Sequence, residues 1–430
     1  MGKKKNSEYT KLPTAGVFLA TMKTIGIFYL VTILALGANA VRADQPAAAA
    51  SDDDKMRVLQ TAVEQAYTNA LDGKTRHWKA YEELLQTNLP QILQLAQVQP
   101  ASDTSREVFI WVVMKVNIER GPAWTNRLQA LQLLTQYQAT NASLGPLCGY
   151  IGHYWDWRWR EKSVTDFLET IAEKNPDRDV RGTAIFALGR MNVNKAEALA
   201  ELEQWAKSPF YIHALSNVKI PDFTAWGSSK AAAEEAEQEL HAVTAHYADC
   251  PDRRPRGVQA ATLLGKEAEM ELFELEHLSL GKTAPEIAAN GLDGTPLTLS
   301  STRGKVTVVS FWASWCGPCM QLVPVERALA IRMQGKPFAM MGVNGDARAD
   351  DATRAVAHEQ ITWPSFWNGK DGPNGPISSA WNVSGWPTVY VLDATGTIRF
   401  KTEGYGNVTS NLLNGCVDEL MREAGHLTAE

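Results

Sequence analysis

The sequence predicts a multidomain chain, with an all-α middle region followed by an α/β domain at the C-terminal end. Three observations lead there. The chain has 430 residues, more than one compact domain accommodates. From about Met56 to Leu278 helical periodicity dominates and strand signals are sparse. After Gly281 the pattern switches to short β-branched and aromatic runs that alternate with helical segments. Hydrophobic residues make up 45% and charged residues 21%, a globular mixture, and the net charge of -6 gives no general pull toward nucleic acid. The basic groups Lys3 to Lys5 and Arg253, Arg254 and Arg256 are local, the second a solvated turn.

Residues 24–38 form a continuous apolar stretch behind Lys23, shorter than the roughly 20 residues of a spanning helix. Small residues follow at Ala38-Asn39-Ala40 and Val41-Arg42-Ala43. A basic start, an apolar middle and a small-residue end make a secretory signal, and Lys23 interrupts the longer window that an uncleaved anchor would need. Residues 1–43 are therefore a signal peptide, with an N-terminal anchor as the alternative. Residues 44–55, rich in alanine and acidic side chains, read as a linker. Either way the rest of the chain belongs outside the cytoplasm, in the periplasm or cell envelope, with membrane contact only through the N-terminal segment if it stays uncleaved.

Residues 56–278 form the all-helical region, with a break near 220–229 where Pro, Asp, Gly and Ser cluster. Val164, Phe167, Leu168 and Ile171 fall at i, i+3, i+4 and i+7, one helical face, and Asn175-Pro176 stops that helix. Asp179 to Arg190 resembles the second helix of a HEAT-type repeat, and Lys230 to Tyr247 with Gly265 to Leu278 resembles a tetratricopeptide-style pair, so the region is HEAT/TPR-like; an irregular bundle is the plainer alternative. Trp155, Trp157 and Trp159 give either a buried seam or an exposed docking patch.

Residues 279–426 carry the chemistry. Val306 to Trp312 suits a buried central strand, Gly317 and Pro318 turn the chain, and Met320 to Met333 reads as a helix. Cys316 thus sits at a helix N-terminus, where unpaired amides and the macrodipole favour a thiolate, the nucleophile of disulfide exchange. Cys319, a turn further in, is placed to attack the mixed disulfide and release product. Downstream, Trp386-Pro387-Thr388 opens a β-run, and a proline there is confined to a strand start. Asp393 to Gly396 then makes a hairpin into Thr397 to Lys401, and a last helix covers about Val408 to Glu423.

These residues resemble the TlpA/ResA-like branch of the thioredoxin superfamily: Phe311-Trp312-Ala313-Ser314-Trp315-Cys316-Gly317-Pro318-Cys319, Gly385-Trp386-Pro387-Thr388, the entry Gly281 to Glu286, and an extra hairpin from Ala288 to Leu299 around Asp293-Gly294. The resemblance covers about a third of the chain. It implies a thioredoxin-like domain, a catalytic pair Cys316 and Cys319, a cis bond at Pro387, and substrate-binding positions at Trp315, Gly317, Pro318, Trp386 and Pro387. It implies protein disulfide or dithiol substrates and an electron-donor protein, with no cofactor and no metal. Two departures bear on the proton acceptor for Cys319. The aspartate that thioredoxins carry six residues before the first cysteine is Ser310, and the glutamate of ResA-like members, three residues after the second, is Leu322. Glu326, one turn on, serves only if the helix turns it inward. Ser310 therefore predicts slow resolution by Cys319, which Ser310→Asp would relieve.

The competing readings are weaker. Half a zinc site needs two further ligands, and no second C-x-x-C exists. A peroxiredoxin-like peroxide reductase shares the hairpin and the Gly-x-x-Ala-Pro entry but works without a neighbouring Gly-Pro-Cys. A helical-repeat adaptor with a minor redox domain would survive loss of Cys316, whereas an oxidoreductase would not. Cys148 and Cys250 either pair or stay free, and Cys416, among Leu412, Leu413, Val417 and Leu420, reads as a small core residue.

Overall fold

A computed structural model of the chain describes residues 51–71, 75–115, 121–154, 161–207, 226–253 and 262–425. The expected signal or anchor segment, the Trp155, Trp157 and Trp159 cluster, Arg254 and Arg256, and most of the expected break near 220–229 lie outside the described residues. These form two compact units.

The first unit, described over 51–198 and 226–272, is helical. Its helices are α1 (Asp52–Ala70), α2 (Thr75–Ala96), α3 (Asp103–Lys115), α4 (Gly121–Gln138), α5 (Gly145–Tyr154), α6 (Lys162–Lys174), the greater part of α7 (Arg178–Trp205), α8 (Ser229–His246) and α9 (Leu264–Phe273). The acidic run expected in the linker instead opens α1. Ser51 Oγ accepts the Asp54 N–H at 3.1 Å while the Asp54 carboxylate accepts from Ser51 N, and three aspartates fill the positive first turn. On α6 the predicted stripe of Val164, Phe167, Leu168 and Ile171 is wholly buried. Asn175 ends that helix in an extended conformation, and its side chain donates to the carbonyls of Ala139 and Asn141 at 2.8 and 3.1 Å. Cys148 and Cys250 are separate buried thiols, which settles their open pairing against a disulfide. Burial pushes the Cys148 thiol up to about 12 and is the main cause of the rise of Cys250 to about 11.

The second unit, described over 199–207 and 273–425, is a mixed sheet with helices. It takes in residues that the sequence assigns to the helical region: the end of α7 from Leu199, and the turn from Phe273 to Leu278. Strands β1 (Ala288–Asn290) and β2 (Pro296–Thr298) pair as the expected hairpin, its turn held by Asp293, which accepts from Thr295 N at 3.0 Å beside Gly294 at φ 82°. The main sheet runs β5 (Ser365–Trp367), β4 (Phe338–Asn344), β3 (Val306–Trp312), β6 (Thr388–Leu392), β7 (Ile398–Glu403). β3, β4 and β5 are parallel, and β6 is antiparallel to both β3 and β7. The remaining helices are α10 (Gly317–Arg332), α11 (Ala349–His358), the short α12 (Pro376–Ala380) and α13 (Asn407–Glu423). All seven residues of β3 are buried, as a central strand covered on both faces requires. Val306, Val308 and Trp312 enter one core with α10 and α13; Val309 and Phe311 enter the other with Trp381 and Tyr390. Cys416 lies buried in the first of these cores and is not part of a disulfide.

Candidate active site

Strand β3 ends at Trp312 and α10 begins at Gly317, so four residues carry the chain from the sheet to the helix. The sequence predicts that Gly317 and Pro318 form a turn before a helix from Met320. They are instead its first turn. Proline is tolerated there because its missing N–H would have no partner in the helix and its φ is already helical. Cys316 is the N-cap, and its Sγ accepts the Cys319 N–H at 3.1 Å. That places the sulfur at the positive end of the helix dipole with an amide donor aimed at it. Cys316 and Cys319 are joined as a disulfide with Cα atoms 5.2 Å apart, and are 5% and 2% exposed.

The other sequence-predicted residues surround this pair unequally. Trp315 is 55% exposed, and Gly317 and Pro318 are exposed at the helix start. The space a side chain would occupy at Gly317 is open. Trp386 is half-buried, packs on the core that holds both cysteines, and lies with its ring 6.0 Å from that of Trp315. The Trp386–Pro387 bond is cis, as the resemblance implies, and Pro387 is buried with its carbonyl accepting from Gly404 N at 2.7 Å.

Two features of the site lie outside the matched motifs. The first is a brace under the loop before Cys316. The buried Asp346 carboxylate accepts from Ser314 N at 3.0 Å, from Ser314 Oγ at 2.6 Å and from Asn344 Nδ2 at 2.7 Å. Asn344 Oδ1 in turn accepts from Asp346 N at 3.0 Å. The signal lay in the polar residues closing an apolar strand, Asn344-Gly345-Asp346, but spacing alone does not tie them to Ser314.

The second is Glu326. The helix does turn it inward, onto the face of Cys319, Leu322, Val323 and Leu329, and it is 1% exposed. Burial pushes its carboxyl up to about 7, and the Ser310 hydroxyl pulls it back only in part. Ser310 lies on the Val308 and Trp312 side of β3 by strand alternation. Neither Ser310 Oγ nor Glu326 Oε1 makes a hydrogen bond of good geometry, so the two are misaligned neighbours and desolvation sets the direction.

A cysteine pair closed across a helix N-terminus, a cis-proline loop and a five-stranded mixed sheet define a thiol-disulfide oxidoreductase of thioredoxin fold. Residues 279–414 match the Redoxin family. The chain is 32% identical over 143 residues to the thiol:disulfide interchange protein HelX of Rhodobacter capsulatus, covering 33% of this chain and 76% of that one. It is 31% identical over 122 residues to the thioredoxin-like protein YneN of Bacillus subtilis, covering 28% and 68%. A crystal structure of a thioredoxin-family thiol:disulfide interchange protein from Chlorobium tepidum covers 32% of this chain and 95% of its own, at 23% identity and a TM-score of 0.29. Through its C-terminal domain the chain belongs to the thioredoxin-like thiol:disulfide oxidoreductases.

Proposed function

We propose that the protein is exported and uses the Cys316-Gly317-Pro318-Cys319 dithiol to reduce disulfides in other exported proteins. The observation that carries this reading is Cys316 as helix N-cap with the Cys319 amide donating to its sulfur. A thiolate formed there is stabilised, attacks a substrate disulfide, and forms a mixed disulfide that Cys319 resolves. The exposed ring of Trp315 beside Trp386 offers an apolar ledge for the substrate chain. The Gly-Pro pair between the cysteines favours a reducing couple, nearer about -270 mV than the about -120 mV of DsbA.

Export rests on the apolar stretch 24–38 with small residues behind it. Among the described residues no helix is long and apolar enough to cross a membrane. The helical unit reads as stacked helix pairs, with α6 and α7 as one pair joined by the Asn175 turn.

Insulin reduction by wild type, Cys316→Ala and Cys319→Ala tests the chemistry. Activity is expected to vanish without Cys316, and wild-type rates in Cys316→Ala would overturn the reading. Cys319→Ala, which cannot resolve, should accumulate mixed disulfides and so reveal the substrates. N-terminal sequencing of the mature protein from an envelope fraction checks cleavage near Ala40 or Ala43. A measured potential near that of DsbA would keep the chemistry and reverse the direction.

A further inference from the structure

Glu403 closes β7 as an exposed carboxylate pressed against the cis-proline loop. A methyl group built on Gly385 would meet Glu403 Oε1 at 1.8 Å, Cδ at 2.3 Å and Cγ at 2.8 Å. The end of the acid thus lies where a side chain at residue 385 would stand. Two backbone features hold it there. Glu403 pairs with Thr388 in the β6–β7 ladder, and the next amide, Gly404 N, donates to the Pro387 carbonyl at 2.7 Å. One residue on from Gly385, the Trp386 ring lies 6.0 Å from that of Trp315, which adjoins Cys316. The carboxylate therefore stands at the edge of the apolar ledge beside the cysteine pair. Strand alternation puts Lys401 on the same face of β7, but its ammonium is taken by Glu274 and lies 5.7 Å from the centroid of the Tyr390 ring. Arg399, further back along the strand, is held by Asp393 and Glu423. Among the described residues no cation and no hydrogen-bond donor engages the Glu403 side chain.

Resting on the thiol-exchange reading above, we propose that Glu403 is a specificity-determining residue that favours substrate disulfides flanked by lysine or arginine. A substrate strand laid along the cis-proline loop advances about 3.3 Å per residue, so a long side chain within about three positions of the reacting cysteine reaches the carboxylate. Lysine and arginine suit this place twice over. Their aliphatic stems cover the Trp315 and Trp386 rings, while the cationic head meets the acid at the edge of the ledge. An aspartate or glutamate there faces a like charge, which is the repulsive half of the selection. The tryptophan ledge by itself accepts any apolar flank; the acid decides among charged ones. Exposure limits the size of the effect, because a pair open to water is worth at most about 1 kcal/mol, roughly fivefold in rate, and is screened by salt.

The test uses reduced full-length protein and three peptide disulfides that carry the same fluorescent leaving thiol. They differ only in having arginine, glutamine or glutamate on both sides of the cysteine. Release is measured below saturation, and each rate is divided by that of the same peptide with dithiothreitol, since a neighbouring charge also alters the reactivity of the disulfide itself. At an ionic strength of about 0.01 M the wild type should release the arginine peptide about threefold to fivefold faster than the glutamine one, and the glutamate peptide more slowly still. At about 1 M salt the spread should narrow. Glu403→Gln should erase the spread, and Glu403→Lys should invert it. Equal normalised rates for the three peptides in the wild type, a spread retained in Glu403→Gln, or a spread that salt does not narrow would each overturn the proposal. The wild-type comparisons stand even if a variant fails to fold. Cys316-dependent release without preference among the peptides defeats only this proposal, whereas release independent of Cys316 defeats the thiol-exchange reading itself.

Discussion

The α-carbon of Gly345 lies against the indole of Trp386: a methyl group built there would come within 2.5 Å of Cη2 and 2.9 Å of Cζ2 and Cζ3. The Gly345 amide is fixed from the other side, donating to the Trp312 carbonyl at 2.9 Å. The glycine is thus required by close approach and not by backbone freedom. It lets the cis-proline loop and the end of β4 meet beside the cysteine pair.

Gly345→Ala should push the Trp386 ring out of its seat and away from Trp315. Overpacking of this kind costs about 1–3 kcal/mol. The domain should stay folded, with KM for a peptide disulfide raised several-fold and kcat changed less. Steady-state kinetics with tryptophan fluorescence checks it. An unchanged KM would show that the Trp315–Trp386 ledge does not hold substrate.

Asp346 should matter to the loop that delivers Cys316. Asp346→Ala strips three donors of their acceptor inside a buried site, and each unmet hydrogen bond costs about 1–3 kcal/mol. The expected result is a domain destabilised by about 2–4 kcal/mol, with Cys316 alkylated more slowly at neutral pH because the N-cap geometry has loosened. Asp346→Asn keeps one acceptor oxygen and should fall between. Equal alkylation rates in all three would reduce the brace to a folding element.

Much of this fold is legible because the residues state their own periodicity. The stripe of Val164, Phe167, Leu168 and Ile171 and the apolar run of β3 are patterns one element long, and both stand as the sequence predicts. The cysteine site is legible for the same reason: Cys316, Pro318 and Cys319 are neighbours in the chain. Asp346 is not, and Glu326 stands in the sequence only as a candidate whose direction the chain alone does not give. Each acts on residues from another element, Ser314 and Ser310, and contacts at that separation exist only once strands and helices have packed. The short β5 and α12 are missed because Ser365 to Trp367 and Pro376 to Ala380 are too brief to show a period. The first turn of α1 is missed because an acidic run reads as linker until Ser51 is recognised as its cap.

In the helical unit one buried side chain ties the turn between α6 and α7 to the chain around Ala139, while Asp177 and Arg181 hold the turn itself. Asn175 is 1% exposed; its Nδ2 donates to the Ala139 and Asn141 carbonyls, and its Oδ1 accepts from Asp177 N at 3.0 Å. Asn175→Ala leaves these buried groups unmet and should destabilise the unit by about 2–4 kcal/mol. Asn175→Asp should do at least as badly, since it trades two donors for a charge facing carbonyls. Thermal unfolding read by helical circular dichroism checks both. A loss below about 0.5 kcal/mol would mean that neighbouring turns already hold the junction.

The last prediction concerns Glu326 and the pH dependence of stability. Its carboxyl is held at about 7 by burial, against 4.5 when unburied. Below 4.5 it is neutral in both folded and unfolded chains, and burial carries no ionic penalty. Between 4.5 and 7 the unfolded chain ionises while the folded one keeps its proton, so stability falls as pH rises, by a total on the order of 3 kcal/mol, and levels off above 7. Glu239 of the helical unit, pushed to about 7 chiefly by its own burial, titrates in the same window. The measurement is therefore the difference between wild type and Glu326→Gln, which should shrink steadily from pH 7 to pH 4.5. The same carboxyl reverses what the sequence alone predicts for Ser310→Asp. A second acid beside Glu326 would force two buried carboxyls to share one proton, so the single variant should be less stable than wild type at pH 7 and no faster in turnover. The double variant Ser310→Asp with Glu326→Leu removes that clash and should recover most of the loss. If Ser310→Asp alone proves as stable as wild type at neutral pH, the carboxyl of Glu326 does not face Ser310.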